Sequence, residues 1–213
     1  MQQNLKYLIY VLRHKWYVFQ AGLILGVPIF QLLIHDLSKF SVAEWAGYVN
    51  YFYNENGTKK TFRDKEETDA FVKAWHHHEA NNPHHWGYWI AFSMASNRYA
   101  IQSHGDGYPM YIYDRFEKIK YTELDDDMTG DTFKALAEMR DLLNLGQDRV
   151  CIEMPEMYLR EMVADWAGAG KGISGQWDLE GWYAENKHKI SLHQNSRDFA
   201  ELLIFELSQK LKN

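Results

Sequence analysis

The chain has 213 residues, of which 46% are hydrophobic and 24% are charged, so it can bury a sizeable core and is not of the disordered class. Its formal net charge of −6 gives no clear nucleic-acid footprint and leaves only a local basic groove as an option. Cys151 is the single cysteine, which excludes disulfides within the chain and favours a reducing, cytoplasmic setting. We therefore expect one cytoplasmic domain over residues 1–213.

Apolar residues at helical spacing predict two helices at the amino terminus. The apolar positions of the first are Leu5, Leu8, Ile9 and Leu12. They favour a helix over about residues 3–25, and Pro28 can open a second helix that carries His35. The uncharged stretch over residues 17–34 is near the lower limit for a membrane span, but Pro28 interrupts it. Two core helices are the more economical interpretation, so no membrane contact is expected.

Three more helices are predicted before the middle of the chain. Ser41 and Glu44 match the capping-box pattern S-x-x-E and should begin the third helix. The fourth covers "EETDAFVKAWHHHEA". The fifth should begin at Pro83, with Asn82 as its cap, and carry "HHWGYWIAFSMASNRYAIQ".

The second half of the chain combines an irregular segment with helices. Around the β-prone "MYIY" we expect loops or a short hairpin, and "DTFKALAEMRDLLNLG" then predicts a helix. Pro155 should begin a helix through "EMYLREMVADW" that ends at the glycines of "AGAGKGISG". A final helix begins near Ser196. These patterns together predict an all-α fold.

Histidines and aspartates recur over three distant pieces of chain. "LIHDLSKF" places His35 and Asp36 after an apolar run, although Asp is almost never fully buried unless it is paired or binds a metal. Five of the ten histidines fall in "HHHEANNPHH", residues 76–85. With His14 before them and Asp165 after them, the order is His, His-Asp, His, His, Asp.

This order resembles the HD superfamily of metal-dependent hydrolases, whose metal is held by a histidine, an adjacent His-Asp pair and a distant aspartate. The form H-D-x-x-K, here His35, Asp36 and Lys39, is common in that superfamily, and extra histidines mark its two-metal branches. At closer range the sequence looks like an uncharacterised family of small phage and bacterial proteins. The matching stretches are "HDLSKF", "HHEANNPHHW", "MPEMYLREMVADWAGAG" and "WYAENKHKISLH". The resemblance implies an HD-like helical bundle with an insertion over about residues 93–149.

Imidazole and carboxylate ligands suit divalent Zn, Fe, Mn, Ni or Co, so one or two such ions are expected. The resemblance assigns the first ion to His14, His35, Asp36 and Asp165. His35 and Asp36 project about 100° apart on a helix, yet both can reach one ion at a helix end. Asp36 can also bridge to a second ion. The "NNP" turn should bring to that ion one histidine of the pair His77 and His78 and one of the pair His84 and His85.

The first functional hypothesis is a metal-dependent phosphohydrolase in which Asp36 and Lys39 are catalytic. The ions would lower the pKa of a bridging water that attacks phosphorus. Lys39 would neutralise the phosphoryl oxygens, helped by Lys171 in the glycine-rich "GAGKGISG". By family analogy alone, the partner is a nucleotide or another small phosphorylated molecule. Further candidate phosphate contacts are Arg98, Lys187, His193 and Arg197.

Two other functions fit the same sequence. HD relatives with two irons and extra histidines activate oxygen and have a similar ligand order, so a di-iron oxygenase is the second hypothesis. The third is a non-catalytic binding protein on an HD-like fold, with its partner surface on the aromatic and acidic insertion. The histidine run could also be an exposed segment, and Asp165 a charge at a helix end. Substrate, metal identity, oligomeric state and biological process stay open at this point.

Overall fold

The computed structural model describes residues 2–92, 99–102, 111–114, 118–120 and 149–211. The chain divides into two compact units, one formed by Met1–Ile90 with Cys151–Asn213 and the other by Ala91–Val150. These bounds lie within two residues of the insertion expected over 93–149. The helices described below all belong to the larger unit.

Seven α-helices build the described part of the larger unit. They are α1 (Gln2–Ile24), α2 (Ile29–Ile34), α3 (Val42–Phe52), α4 (Lys65–Asn81), α5 (Glu156–Ser174), α6 (Leu179–Asn186) and α7 (Gln194–Leu211). Short 3₁₀ helices span Leu37–Phe40, Trp86–Trp89 and Lys187–Lys189. This composition confirms the predicted all-α class. None of the helices in the described ranges is both long enough and apolar enough to span a membrane.

The larger apolar cluster lies between α1, α5 and α7. Its most deeply buried members include Val18 on α1, Val163 on α5 and Leu207 on α7. A fully buried aliphatic side chain of this kind contributes about 1.5–3 kcal/mol to stability. Gly168 of α5 allows the close approach to α1, because a Cβ there would lie 2.6 Å from Cγ2 of Val18 and 2.7 Å from its backbone nitrogen.

A smaller, aromatic cluster lies between α1, α3 and α4. It contains Tyr7, Val11, Tyr48, Val49 and Ala74. The buried positions of α1 form one stripe at spacings of three and four residues, which runs from this cluster to the larger one. His14 occupies this stripe between Val11 and Val18, so an imidazole sits where the pattern calls for an apolar side chain.

The predicted capping box at the start of α3 is wrong. Ser41 precedes the helix but makes no side-chain capping hydrogen bond, and Glu44 is fully buried and contacts histidines. The capping box lies at α4, where the side chain of Asp64 accepts from the backbone N–H of Glu67 and Glu67 reaches back to the backbone of Asp64. Glu44 therefore serves tertiary structure rather than a helix end.

The helix predicted from Pro83 is also wrong. Asn82 ends α4 instead of beginning a helix, and its side-chain amide donates to the carbonyl oxygen of His78 and to the hydroxyl of Ser38. The chain then forms the 3₁₀ helix Trp86–Trp89 and a short strand. Asn82, which was expected to cap a new helix at its start, therefore caps the end of α4.

The helix α5 extends beyond its predicted end. It continues through the glycine-rich stretch to Ser174 and stops at Gly175, which adopts the left-handed conformation with φ 77°. The glycines predict a helix end, but Gly168 is required by packing against Val18. Contacts with another helix therefore outweigh the low helix propensity of glycine here.

Short strands lie between residues 90 and 151. β1 (Ile90–Phe92) and β5 (Arg149–Cys151) form a two-stranded sheet. An antiparallel sheet has the order β2 (Tyr99–Gln102), β3 (Tyr111–Asp114) and β4 (Lys118–Lys120). The β-prone "MYIY" thus contributes a strand. The helix predicted over "DTFKALAEMRDLLNLG" lies outside the described residues.

Candidate metal centre

The His-Asp pair lies in the turn that follows α2. The helix ends at Ile34, and the backbone N–H of His35 donates to the carbonyl oxygen of Gln31 at 2.9 Å. Asp36 then has φ 57° and ψ 21°, and among the described residues it is the only non-glycine with a positive φ. The ammonium of Lys15 donates to the carbonyl oxygen of His35 and holds the turn. The expected helical placement of the pair is therefore wrong.

The left-handed turn has an energetic cost and a structural result. A non-glycine residue in this conformation costs roughly 1–3 kcal/mol, and such residues persist where the surroundings fix them, often at functional sites. The side chain of Asp36 in this turn is 0% exposed. Both its carboxylate oxygens face histidines, so the strained residue lies at the centre of the histidine and aspartate cluster.

Four buried groups converge from α1, the turn after α2, and α5. We call His14, His35, Asp36 and Asp165 the first donor set. Nε2 of His14 lies 3.1 Å from Oδ2 of Asp36 and 3.0 Å from Oδ1 of Asp165. Nε2 of His35 lies 3.4 Å from each of these two oxygens. Ligand atoms that share an ion at about 2.1 Å are roughly 3 to 3.4 Å apart, so the spacing fits a metal ion.

A second group forms on the other oxygen of Asp36. We call Asp36, His78, His84 and His85 the second donor set. Oδ1 of Asp36 lies 3.2 Å from Nε2 of His78 and 3.4 Å from Nε2 of His84. Nε2 of His85 lies 2.9 Å from Nε2 of His78. Asp36 thus offers one oxygen to each set.

The unpaired atoms of the cluster also fit a cation. Nε2 of His35, Oδ1 of Asp36 and Nε2 of His84 are buried and lack a hydrogen-bond partner among the described residues. A buried polar atom left unsatisfied costs about 1–3 kcal/mol. One divalent ion in each donor set would accept these three lone pairs between them and remove that cost. The described residues therefore contain buried histidine and aspartate groups that could hold metal ions.

Two glutamates orient histidines by contacting Nδ1, the ring nitrogen that does not face the other ligand atoms. Nδ1 of His35 lies 2.9 Å from Oε1 of Glu161, and Nδ1 of His78 lies 2.9 Å from Oε2 of Glu44. An imidazole that donates from Nδ1 to a carboxylate keeps its Nε2 lone pair for a metal. Glu161 also approaches His84, with 3.4 Å between Oε1 and Nδ1. Both glutamates are buried.

Neither glutamate was recognised as part of the site from the sequence. Glu161 precedes Asp165 by one helical turn and shares its helix face, which was a usable signal. The match of Glu44 to a capping box predicts a role at a helix end instead. Only its distance from the histidines of α4 reveals its role.

The histidine pairs contribute unequally. His77 lies outside both donor sets, since its side chain is 40% exposed and its Nδ1 lies 2.8 Å from Oε1 of Glu44. His78 supplies the ligand atom from this pair, whereas His84 and His85 both belong to the second donor set. The expectation of one histidine from each pair is corrected on that point.

The electrostatics favour the metal-binding protonation state at both carboxylates and at two imidazoles, and oppose it at two others. Burial opposes the charge of Asp36, but the nearby His35 and other cationic groups hold its pKa well below the usual range. Hydrogen bonds from two histidines do the same for the pKa of Asp165 against the effect of burial. Burial lowers the pKa of both His84 and His85. At neutral pH the two carboxylates are therefore ionised, and these two imidazoles are neutral.

The other two imidazoles are those of His35 and His78. Burial lowers the pKa of both, but the facing carboxylates outweigh burial. They raise the pKa of His35 to about 9 and the pKa of His78 above its ordinary value. An ion would therefore displace a proton from each of these imidazoles.

Lys39 is the predicted substrate contact that lies at the cluster. Its ammonium donates to Oδ2 of Asp36, and its side chain is only 14% exposed. Burial lowers its pKa, but the charges of Asp36 and Asp165 outweigh burial and raise it above the ordinary value. Lys39 thus places a fixed positive charge beside the first donor set.

Lys171 does not occupy an anion-binding loop. It lies in the last turn of α5, where its ammonium donates to the carbonyl oxygen of Gly175 at 2.8 Å. It also lies 5.5 Å from the ring centroid of Trp177. The predicted phosphate loop is wrong because "GAGKGIS" is helical.

The other predicted phosphate contacts have different partners. Arg197 donates to the carbonyl oxygen of Ile190 at 2.6 Å, which ties α7 to the segment before it. His193 is part-exposed and lies 4.0 Å from Glu153, and Lys187 is exposed. These contacts do not involve either donor set. Arg98 lies outside the described residues.

Comparison with known proteins identifies a family whose function is unknown. A family of unknown function, DUF5662, matches residues 3–124, which is more than half of the 213-residue chain. The matched segment includes His14, His35, Asp36 and the rest of the second donor set, whereas Asp165 lies beyond it. No curated protein and no solved structure matches the chain. The chain belongs to the family of unknown function DUF5662.

Proposed function

We propose that this protein is a metal-dependent phosphohydrolase that acts on a nucleotide or another small phosphoester. The observation that carries the proposal is the shared carboxylate of Asp36, whose two oxygens each meet a separate group of buried imidazoles. Two-metal sites are a common solution for the cleavage of phosphate esters. The resemblance to the HD superfamily, which stays a prediction, points to the same class of reaction.

The residues that would hold two ions follow from the donor sets. The first set would bind one ion and the second set the other, with Asp36 common to both. Glu161 would fix the orientation of the His35 ring, and Glu44 that of the His78 ring, each through a hydrogen bond at Nδ1 of the histidine. Bound divalent ions supply a Lewis acid for a phosphoryl oxygen and lower the pKa of a coordinated water.

The reaction balances as an ordinary hydrolysis. The oxygen of water forms a bond to phosphorus and the P–O bond to the leaving group breaks. The proton lost by water ends on the leaving oxygen, which belongs to an alcohol in a phosphoester and to a phosphate in a phosphoanhydride. Negative charge collects on the phosphoryl oxygens as the bond forms. The ammonium of Lys39, fixed beside Asp36 in a largely buried position, is placed to neutralise that charge.

Phosphate release by full-length, untagged protein tests the proposal. With Mn²⁺ or Co²⁺, wild type should release phosphate from at least one member of a panel of nucleotides and small phosphoesters. Asp36→Ala should lose this activity, because the variant lacks the group common to both donor sets. Asp69→Ala, which changes an exposed aspartate of α4, should retain it.

Two results would overturn the proposal. One is folded wild-type protein that binds no metal in elemental analysis. The other is protein that consumes oxygen with bound iron and releases no phosphate from any substrate in the panel, which would assign the site to an oxygenase.

A further inference from the structure

A cavity of about 720 Å³ is lined by α1, by residues 52–63 and by the end of α5. Its lining includes five cationic side chains and no acidic one. The cations are Lys6, Arg13, Lys59, Lys60 and Arg63. Such a concentration is notable in a chain with a net charge of −6, and we call this site the basic cavity. Its volume lies within the range of small-molecule pockets.

Four of the five cations have no acidic partner within the described residues, and three of these four make no side-chain hydrogen bond there either. Lys60 pairs with Glu67, and Arg63 donates to the carbonyl oxygen of Tyr51 at 3.0 Å. No ion pair in the described part of the chain involves the remaining three, which are Lys6, Arg13 and Lys59. A group of cations without counter-charges favours an anionic ligand.

The basic cavity also presents aromatic rings. Tyr10, Phe52 and Tyr53 line it. The ring of Tyr10 lies nearly parallel to that of His14, with 6.4 Å between their centroids and 14° between their planes. Tyr10 therefore links the cavity to the first donor set.

Helix geometry gives the distance between the basic cavity and the first donor set. On α1, Tyr10 precedes His14 by four residues, or about one turn. On α5, Gly172 lines the cavity and follows Asp165 by seven residues, or about two turns. One helical turn is about 5.4 Å, so the cavity begins roughly one to two turns from the first donor set.

We propose that the basic cavity binds the unreacting part of the substrate and that this substrate is a nucleotide with more than one phosphate. The inference rests on the proposed phosphohydrolase function. Several phosphates match the three unpaired cations, and a base can stack on the aromatic lining. The separation of one to two turns lets one phosphate reach Lys39 while the rest of the ligand stays in the cavity. The volume of about 720 Å³ suits a small molecule rather than a nucleic-acid strand.

Calorimetric titration of the full-length protein tests the assignment. The probes are the non-hydrolysable imido analogue of ATP, AMP, and a single-stranded deoxythymidine decamer. The analogue should bind more tightly than AMP. Arg13→Gln and Lys59→Gln should each weaken its binding about tenfold, because each removes a charged donor. Lys73→Gln, which removes an exposed lysine of α4 outside the cavity, should leave it unchanged.

Three results would overturn the cavity assignment. They are equal binding by wild type and both cavity variants, equal weakening in Lys73→Gln, and tighter binding of the decamer than of the analogue. Because Arg13 and Lys59 are exposed, their variants should fold normally, which circular dichroism checks.

The assignment and the proposed function fail in different ways. If the analogue binds, the cavity variants weaken it, and no metal supports phosphate release, the cavity assignment stands and the phosphohydrolase fails. If wild type hydrolyses ATP and Arg13→Gln hydrolyses it equally well, the phosphohydrolase stands and the cavity assignment fails. Asp36→Ala should lose hydrolysis and still bind the analogue.

Discussion

Asp36 combines three properties that rarely coincide in one residue: a left-handed backbone, full burial and a carboxylate. Its oxygens divide the surrounding imidazoles into two donor sets. The backbone strain is retained because the contacts of His35, Lys15 and Lys39 all converge on this turn. The geometry of this one residue therefore determines how many ions the site could accept.

Glu161→Gln tests whether residues behind the ligands tune the site. The amide can still accept from Nδ1 of His35 but lacks the charge that makes the imidazole a stronger ligand. We expect about 10- to 100-fold weaker Mn²⁺ binding, measured by competition with a chelator. Glu156→Gln on the same helix changes a glutamate at the protein surface and should have no effect. Equal Mn²⁺ affinities for wild type and Glu161→Gln would contradict this role.

Lys39→Gln separates metal binding from turnover. The ammonium belongs to neither donor set, so both ions should remain bound. The variant should lower kcat for phosphate release by about 10² to 10³, because a positioned charge on the developing phosphoryl charge is lost. Metal content and kcat are measured on the same preparation. A variant that keeps full kcat would remove Lys39 from the mechanism.

At this scale the sequence predicts ligand types better than ligand partners. The order of His14, His35, Asp36 and Asp165 could be read from spacing and resemblance, because residue type and order are local facts. The roles of Glu44 and Glu161 could not be read in this way, since they depend on which distant side chains meet in the folded chain. The choice between His77 and His78 likewise depends on which face of α4 is buried.

At the scale of elements, α1 and α5 each hold one member of the first donor set. α1 supplies His14 and α5 supplies Asp165, and the two side chains lie 3.0 Å apart. The close contact of the helices at Gly168 and Val18 keeps them at this separation. The stability of this helix pair and the geometry of the site are therefore coupled.

Gly168→Ala tests that helix contact. The added Cβ would lie 2.7 Å from the backbone nitrogen of Val18, which cannot move without shifting α1. We expect destabilisation by about 1–3 kcal/mol in urea unfolding. Gly170→Ala is the matched control, because nothing lies within 4 Å of its added Cβ. That change should stabilise α5 by about 0.5–1 kcal/mol. Equal effects of the two substitutions would contradict the packing role of Gly168.

Apolar periodicity predicted the long helices well and their ends less well. The bounds of α1 differ by one residue from the predicted 3–25, because a regular buried stripe defines that helix along its whole length. The sequence correctly predicts that α3 begins after Ser41 and that α4 ends before Pro83, but it does not predict the side-chain contacts made at these ends, and it ends α5 too early. At these three places, tertiary contacts override the local role that the sequence suggests for Glu44, Asn82 and Gly168.

At the scale of the whole molecule, metal binding should couple stability to pH. Ions that bind only the folded chain stabilise it by mass action, and protons compete with them for imidazoles. Without metal, the lowered pKa values of His84 and His85 mean that the unfolded chain binds more protons below about pH 6.5. Stability contributed by these two groups therefore falls as the pH drops through that range.

A melting-temperature series checks this coupling. Mn²⁺ should raise the Tm of EDTA-treated protein at pH 7.5, and the gain should shrink toward pH 5 as the imidazole ligands become protonated. The comparison uses scanning fluorimetry with and without Mn²⁺ at each pH. An equal gain at both pH values, or none at pH 7.5, would contradict imidazole ligation.

The arrangement of two ions around Asp36 is tested most directly by anomalous diffraction from crystals of the Mn²⁺-loaded protein. The account predicts two anomalous peaks on opposite oxygens of Asp36. One should be bounded by His14, His35 and Asp165, and the other by His78, His84 and His85. Density that shows no peak within bonding distance of the Asp36 carboxylate would contradict it.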